Sequence, residues 1–250
     1  MYRIGIGFLF TFFIAVAQLC AQSGGFNSPI SSFGIGDIVD PNPIDLRHMG
    51  GINASFVDNY HINPVNPASY SYLRATAFDI GVSANNTNLS DGEGNSFRDW
   101  SGNLEYLLIG FPLRNPLNAV FDREKKDLDF GMGFSLQPVS RVAFHIANED
   151  FDEQLGNLSR EFIGDGGVFK AQWANSVKYK DFSFGVNIGY QFGTITFDRL
   201  VDFDSLLAFD NQSISEYVLR GFSYNVGAHY QLFLNEKEFT KDPNLSLIHI

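Results

Sequence analysis

The stretch FSFGVNIGYQF, residues 182–192, decides how this chain reads. Phe182, Phe184, Val186, Ile188, Tyr190 and Phe192 alternate with Ser183, Gly185, Asn187, Gly189 and Gln191. Successive side chains of a strand point to opposite faces, so this spacing predicts a strand with one apolar face and one small, polar face. Moving outward, the same alternation recurs at 75–84, 128–138, 168–179 and 222–234. NLEYLLIGFPL (103–113) is more uniformly apolar.

A soluble sandwich strand also alternates, so three further features are needed. The runs reach roughly the 9–11 residues that a tilted membrane strand requires, beyond the usual globular length. Aromatics sit near the ends of the apolar face, as interfacial girdles do. The opposite face is Gly, Ser, Asn and Gln, which suits a wet or filled lumen better than a dry core. The expected fold class is all-β: an antiparallel transmembrane β-barrel, incomplete here, with about six to seven strands over residues 75–250.

Composition agrees. Phe occupies 26 positions and Gly 24, and the mean hydropathy of −0.06 is too low for a bundle of membrane helices. The formal net charge of −11 argues against nucleic acid as a partner. Much of the acid falls in three long connections, 87–100, 139–166 and 194–213, which alternate with shorter ones such as Lys180-Asp181. Barrels pair short periplasmic turns with long outer loops in this way.

Residues 1–21 have Arg3, a long apolar run and small residues near Cys20-Ala21, the layout of a secretory signal peptide. Leu19 is bulky where a lipobox needs a small residue, which weighs against lipid attachment at Cys20. With the signal removed no cysteine remains, so neither disulfides nor a cysteine nucleophile is expected. The expected location is the outer membrane of a Gram-negative-type bacterium.

Residues 22–74 are rich in Gly, Ser, Asn and Pro, and Pro29, Pro41, Pro43, Pro64 and Pro67 would interrupt any regular element. Phe33, Ile35, Met49, Ile52, Phe56 and Tyr70 are apolar anchors that give this segment something to pack with. It reads as an N-terminal plug. SSFGIGD (31–37), RHMGGINASFVDN (47–59), NPASY (66–70) and FDIGVS (78–83) stand in order before and at the first strand.

In that order the chain resembles the FadL-like outer-membrane transporters. The resemblance implies passive transport of hydrophobic small molecules, such as fatty acids or aromatic hydrocarbons, through a plugged barrel. Phe33, Ile35 and Phe56 would line the ligand path. Pro138 would kink the wall, where the residue reading alone gives a strand end. Six or seven strands are too few to close around such a plug, and LSLIHI (245–250) stops without a closing strand, so the sequence reads as a C-terminally truncated piece.

Asn66-Pro67-Ala68 is expected to fix the corner between plug and wall. Proline locks its own φ and pushes Asn66 toward extended backbone, and the Asn side chain satisfies local backbone. The alternative function is a barrel serving as scaffold or shuttle of a protein secretion system, with a protein partner. In either case the lipid bilayer is a partner. No enzyme, cofactor or metal site is expected: the five histidines lack ligand spacing, and DGEGN (91–95) lacks the closing Glu of a calcium loop.

Overall fold

The computed structural model describes residues 28–90, 96–113, 127–152, 156–203 and 210–232. The expected signal peptide and LSLIHI lie outside the described residues. A two-residue strand β1 (Asp37–Ile38), a short helix α1 (Ile44–His48) and 3-10 helices at Pro29–Ser32 and Pro67–Tyr72 occupy the N-terminal part. Six long strands follow: β2 (Ala77–Ser90), β3 (Ser96–Pro112), β4 (Leu128–Asp152), β5 (Gly156–Tyr179), β6 (Phe182–Phe203) and β7 (Asn211–Tyr230).

These form one antiparallel sheet in the order β2-β3-β4-β5-β6-β7, with β1 added beside β4. Each stretch read as a strand overlaps one of them. The all-β antiparallel architecture is therefore present. The sheet is open among the described residues, with β2 and β7 as its edges, so a closed barrel is not formed there. No helix among the described residues is long and apolar enough to cross a membrane.

The strands are longer than the sequence suggested, running to 25 residues in β4 and 24 in β5. Most of the segments 139–166 and 194–213, expected as loops, instead extend these hairpins. In β4 the reason is a change of phase; β6 runs on past Gly193 without a register slip. The β4–β5 register slips between Pro138 and Ser140. Gly133, Ser135 and Gln137 are buried before the slip; Ser140, Val142 and Phe144 are buried after it. An inserted residue moves every later side chain to the opposite face, so the alternation reads as broken exactly where the strand continues. Beyond the slip the buried face turns apolar, with Val142, Phe144, Val168 and Ile195 in one cluster.

Nearer the short Lys180-Asp181 turn, the sheet buries its polar face. Along β6, Ser183, Gly185, Asn187 and Gly189 are buried, while Phe182, Phe184, Ile188 and Tyr190 are exposed. What covers the small side is the N-terminal segment: the 3-10 helix Pro67–Tyr72 touches β3 through β7. Glycine permits this approach. A Cβ at Gly131 would overlap the Tyr70 carbonyl, and one at Gly185 would overlap the Pro67 backbone. The Gly185→Ala variant of the full chain should therefore lose about 1–3 kcal/mol, the usual cost of overpacking. Gly221→Ala, where a Cβ meets nothing within 4 Å, should cost far less. Denaturant midpoints followed by tryptophan fluorescence test this; equal midpoints for the two variants would contradict the packing account.

Candidate functional site

The seat of the N-terminal segment is built around an irregular backbone that must find partners once buried. Asn63 and Asn66 do much of this locally. The Asn63 side chain donates to the Asn53 and Phe56 carbonyls and accepts from the Val65 and Asn66 N–H groups. Asn66 caps the 3-10 helix by accepting from Ala68 N at 3.0 Å, and donates to the Ala54 carbonyl. The wall completes the set. Gln137 donates to Pro41 O at 3.1 Å, Asn187 to Pro64 O at 3.1 Å and Asn225 to Val65 O at 2.7 Å. Tyr70, 2 % exposed, packs with Ile62, Leu73, Tyr106 and Leu108, and burial pushes its phenol pKa upward.

A second feature lies at the seam between β3 and β4. These strands pair only from Leu107↔Leu136 to Pro112↔Gly131; toward Ser96, β3 continues with β2 alone. The β4 edge so released pairs with the N-terminal segment. Asp37 and Ile38 oppose Arg141 and Ser140. Val39 N donates to Val139 O at 3.0 Å and Ser28 N to Ala143 O at 2.8 Å. Ala143 N donates to Ser31 Oγ at 3.2 Å.

Glu105 stands at the centre of this seam. A bulge in the β2–β3 pairing sets Gly81 opposite Tyr106 and Val82 opposite Leu104, leaving Glu105 as the extra residue, and the residue is 6 % exposed. Its carboxylate meets Arg47 Nη2 at 3.2 Å and Arg141 Nη1 at 3.1 Å, and accepts from Ser83 Oγ. Arg141 also donates to Leu104 O at 2.9 Å, across the opening, while Arg47 donates to the Asn42 and Asp40 carbonyls at 2.8 Å each. One buried acid thus ties β2, β3, β4 and the N-terminal segment together. A buried carboxylate needs such partners, because an unpaired charge there is severely destabilising.

The structure does not gather the residues expected to line a ligand path. Phe33 is 77 % exposed, Ile35 is exposed and Phe56 is half-buried. Met49 and Ile52 are exposed as well; the buried anchors are Leu46, Ile62, Ala68, Tyr70 and Leu73. Small and polar residues make the fit because the opposing wall is itself small and polar. Asn66, Pro67 and Ala68 are all buried, but they start the helix that crosses beneath β4–β7, and the chain enters the wall only after Leu73. Pro138 lies inside β4, beside the register slip and two residues past the last β3 pair, rather than at a strand end. Among the described residues no group of three His, Cys, Asp or Glu side chains is placed to hold a metal ion; DGEGN lies outside them. Sequence reasoning missed Glu105, Arg47 and Arg141. The available signal was one acid inside the apolar run 103–113.

A family model for BamG matches residues 3–243. The chain belongs to the BamG family. No curated protein and no solved structure matches it. The FadL-like resemblance is thereby corrected, and with it the expectation of hydrophobic-solute transport. Its motifs are Gly, Asn and Pro turn chemistry, which any irregular segment leading into a strand can share.

Two measurements probe the seat. Asn66→Ala removes the cap and the donor to Ala54, and should cost about 1 kcal/mol or more; Asn66→Asp keeps the acceptor for Ala68 N and should cost less. Faster protease cleavage within 53–62 in the alanine variant would report it, and equal cleavage of both variants would count against the cap. At the exposed turn 58–61, the Asp58 carboxylate 3.0 Å from His61 Nδ1 raises the imidazole pKa. The raised pKa means that this contact favours the folded turn at low pH and is lost as pH rises through the folded-state value. NMR titration should give His61 a pKa above the ordinary imidazole value, returning toward it in Asp58→Asn.

Proposed function

We propose that this chain is an outer-membrane-associated protein that acts through a protein partner in β-barrel assembly, as a scaffold and not as a transporter. The family match over nearly the whole chain carries the reading, because the name BamG points to the barrel-assembly machinery. In this reading the sheet forms part of a lipid-facing barrel wall. Residues 28–74 line its inner side, a leader over 1–21 directs export, and the location is the outer membrane of a Gram-negative-type bacterium.

The exposed face supports the membrane setting. Phe134 stacks on Trp173 at 6.3 Å, and Tyr190 contacts Phe192 at 6.3 Å and Phe222 at 5.2 Å, all on the side away from the N-terminal segment. Phe130, Phe182, Phe184, Ile188 and Tyr224 join them in the open. Apolar surface left in water forfeits about 25 cal/mol for each Å² that burial would remove, and ten large side chains on one face share that loss. Lipid chains relieve that exposure, and apolar-out alternation is how barrels meet them. No catalysis or cofactor enters this role.

The test uses the full-length protein with an affinity tag in its source cell. It should fractionate with outer membranes and co-purify with the barrel-assembly proteins. Recovery in the soluble periplasm, or from the outer membrane without those proteins, would overturn the proposal.

A further inference from the structure

The N-terminal segment fills the inner side, but residues 28–39 do something different. They occupy the edge that β4 exposes where β3 leaves it. Their pairing is short: two ladder residues in β1, two further backbone hydrogen bonds at Val139 and Ala143, and one serine hydroxyl. The run is broken by the 3-10 helix Pro29–Ser32 and by positive φ at Gly34 and Gly36. Ile30, Phe33 and Ile38 stay exposed along it. Such a strap satisfies an edge without making a full strand of it. A side-chain network adds a hold beyond the pairing: through Arg47, the Arg47–Glu105–Arg141 network clamps the chain at Asp40 and Asn42, just past β1, to both sides of the seam.

We propose that residues 28–39 are a removable resident of a strand-acceptor edge on β4, that Glu105 is the latch holding them there, and that the edge takes an extended segment of a partner protein when the latch opens. A bare sheet edge offers a row of unpaired N–H and C=O groups, and another extended chain completes them by strand addition. The side chains of such a guest matter less than its backbone, since the resident meets the edge itself through main-chain groups at Val139, Ser140, Arg141 and Ala143. An uninterrupted strand would pair with this edge over a longer stretch than the strap does, which gives exchange a driving force. Arg141 serves both states: its backbone lies in the acceptor edge and its side chain spans the seam to Leu104 O. The identity of the partner as a protein of the assembly machinery rests on the function proposed above; the latch does not.

The experiment uses the full-length chain in its native cell, with Ile38→Cys and Ser140→Cys as a disulfide reporter of the seated strap. These positions are Cα partners in the pairing, and the sequence has one other cysteine, Cys20, within the expected leader. The reporter should oxidise nearly completely when Glu105 is intact. Glu105→Gln should lower the seated-to-released ratio of the strap about tenfold, the equilibrium factor of a charge-assisted hydrogen bond, read as a lower disulfide yield when the oxidant competes with a thiol-blocking maleimide. Arg47→Ala, which leaves the Glu105–Arg141 pair in place, should act in the same direction if Glu105→Gln fails to fold. A photoreactive residue at Ala143 should then give adducts with other proteins, and oxidising the reporter first should suppress them.

Unchanged disulfide yield in both Glu105→Gln and Arg47→Ala would overturn the latch. Reduced yield without adducts, or adducts that persist when the strap is locked, would overturn the acceptor edge. Adducts only with proteins outside the assembly machinery would leave the strap standing and sink the proposed function.

Discussion

Burying an irregular backbone against a sheet is the constraint on which the rest of this structure depends. Residues 62–73 are not a regular strand or α-helix, so their carbonyls and N–H groups must be met from outside. The polar face of the wall meets them. Asn187 and Asn225 reach Pro64 and Val65 from two strands, and Gln137 reaches Pro41 from a third. Glycines at 131, 133, 185 and 227 clear the space for its backbone and for the Tyr70 ring. The contact is thus made of hydrogen bonds and close approach more than of apolar bulk. This explains why the residues that look like anchors in the sequence are largely exposed.

That contact also sets the polarity of the whole sheet. With the small residues turned inward, Phe130, Phe134, Trp173, Phe184 and Tyr190 are turned outward, and cross-strand stacking such as Phe134 on Trp173 forms on the open side. A water-soluble sandwich would do the reverse. The inner face changes character only above the slip at Pro138–Ser140. There Val142, Phe144 and Ile195 pack with one another, and Phe197 lies 6.0 Å from both Phe144 and Tyr217.

The seam shows how two bulges cooperate. One, between Gly81 and Val82, makes Glu105 an extra residue on β3. The other, at Pro138, falls where β4 parts from β3 and brings Arg141 into reach. Bulges re-aim side chains at the cost of a locally broken ladder. Here the two bulges flank the opening that residues 28–39 occupy, where the β3–β4 pairing ends at Leu107↔Leu136, and the re-aimed side chains are the ones that hold the N-terminal segment beside it.

The strands and their two faces are legible in the sequence, because alternation is a local property of extended backbone. FSFGVNIGYQF reads the same way alone as it does in β6. The sequence also marked 28–74 as irregular, since its prolines and glycines act on their own dihedrals. In β4 it misjudged strand length, because a one-residue slip at Pro138 reverses the phase and makes a continuing strand look like a loop. The family assignment drawn from turn motifs failed for a related reason: Gly, Asn and Pro report local geometry, which unrelated chains share. Which face is covered, where β3 parts from β4 at Leu107, and the meeting of Glu105, Arg47 and Arg141 depend on the folded sheet. Those three are separated by up to 94 positions in the chain. Nothing in their local patterns links them, and they are joined by register and bulges, which belong to pairs of strands and not to any one segment.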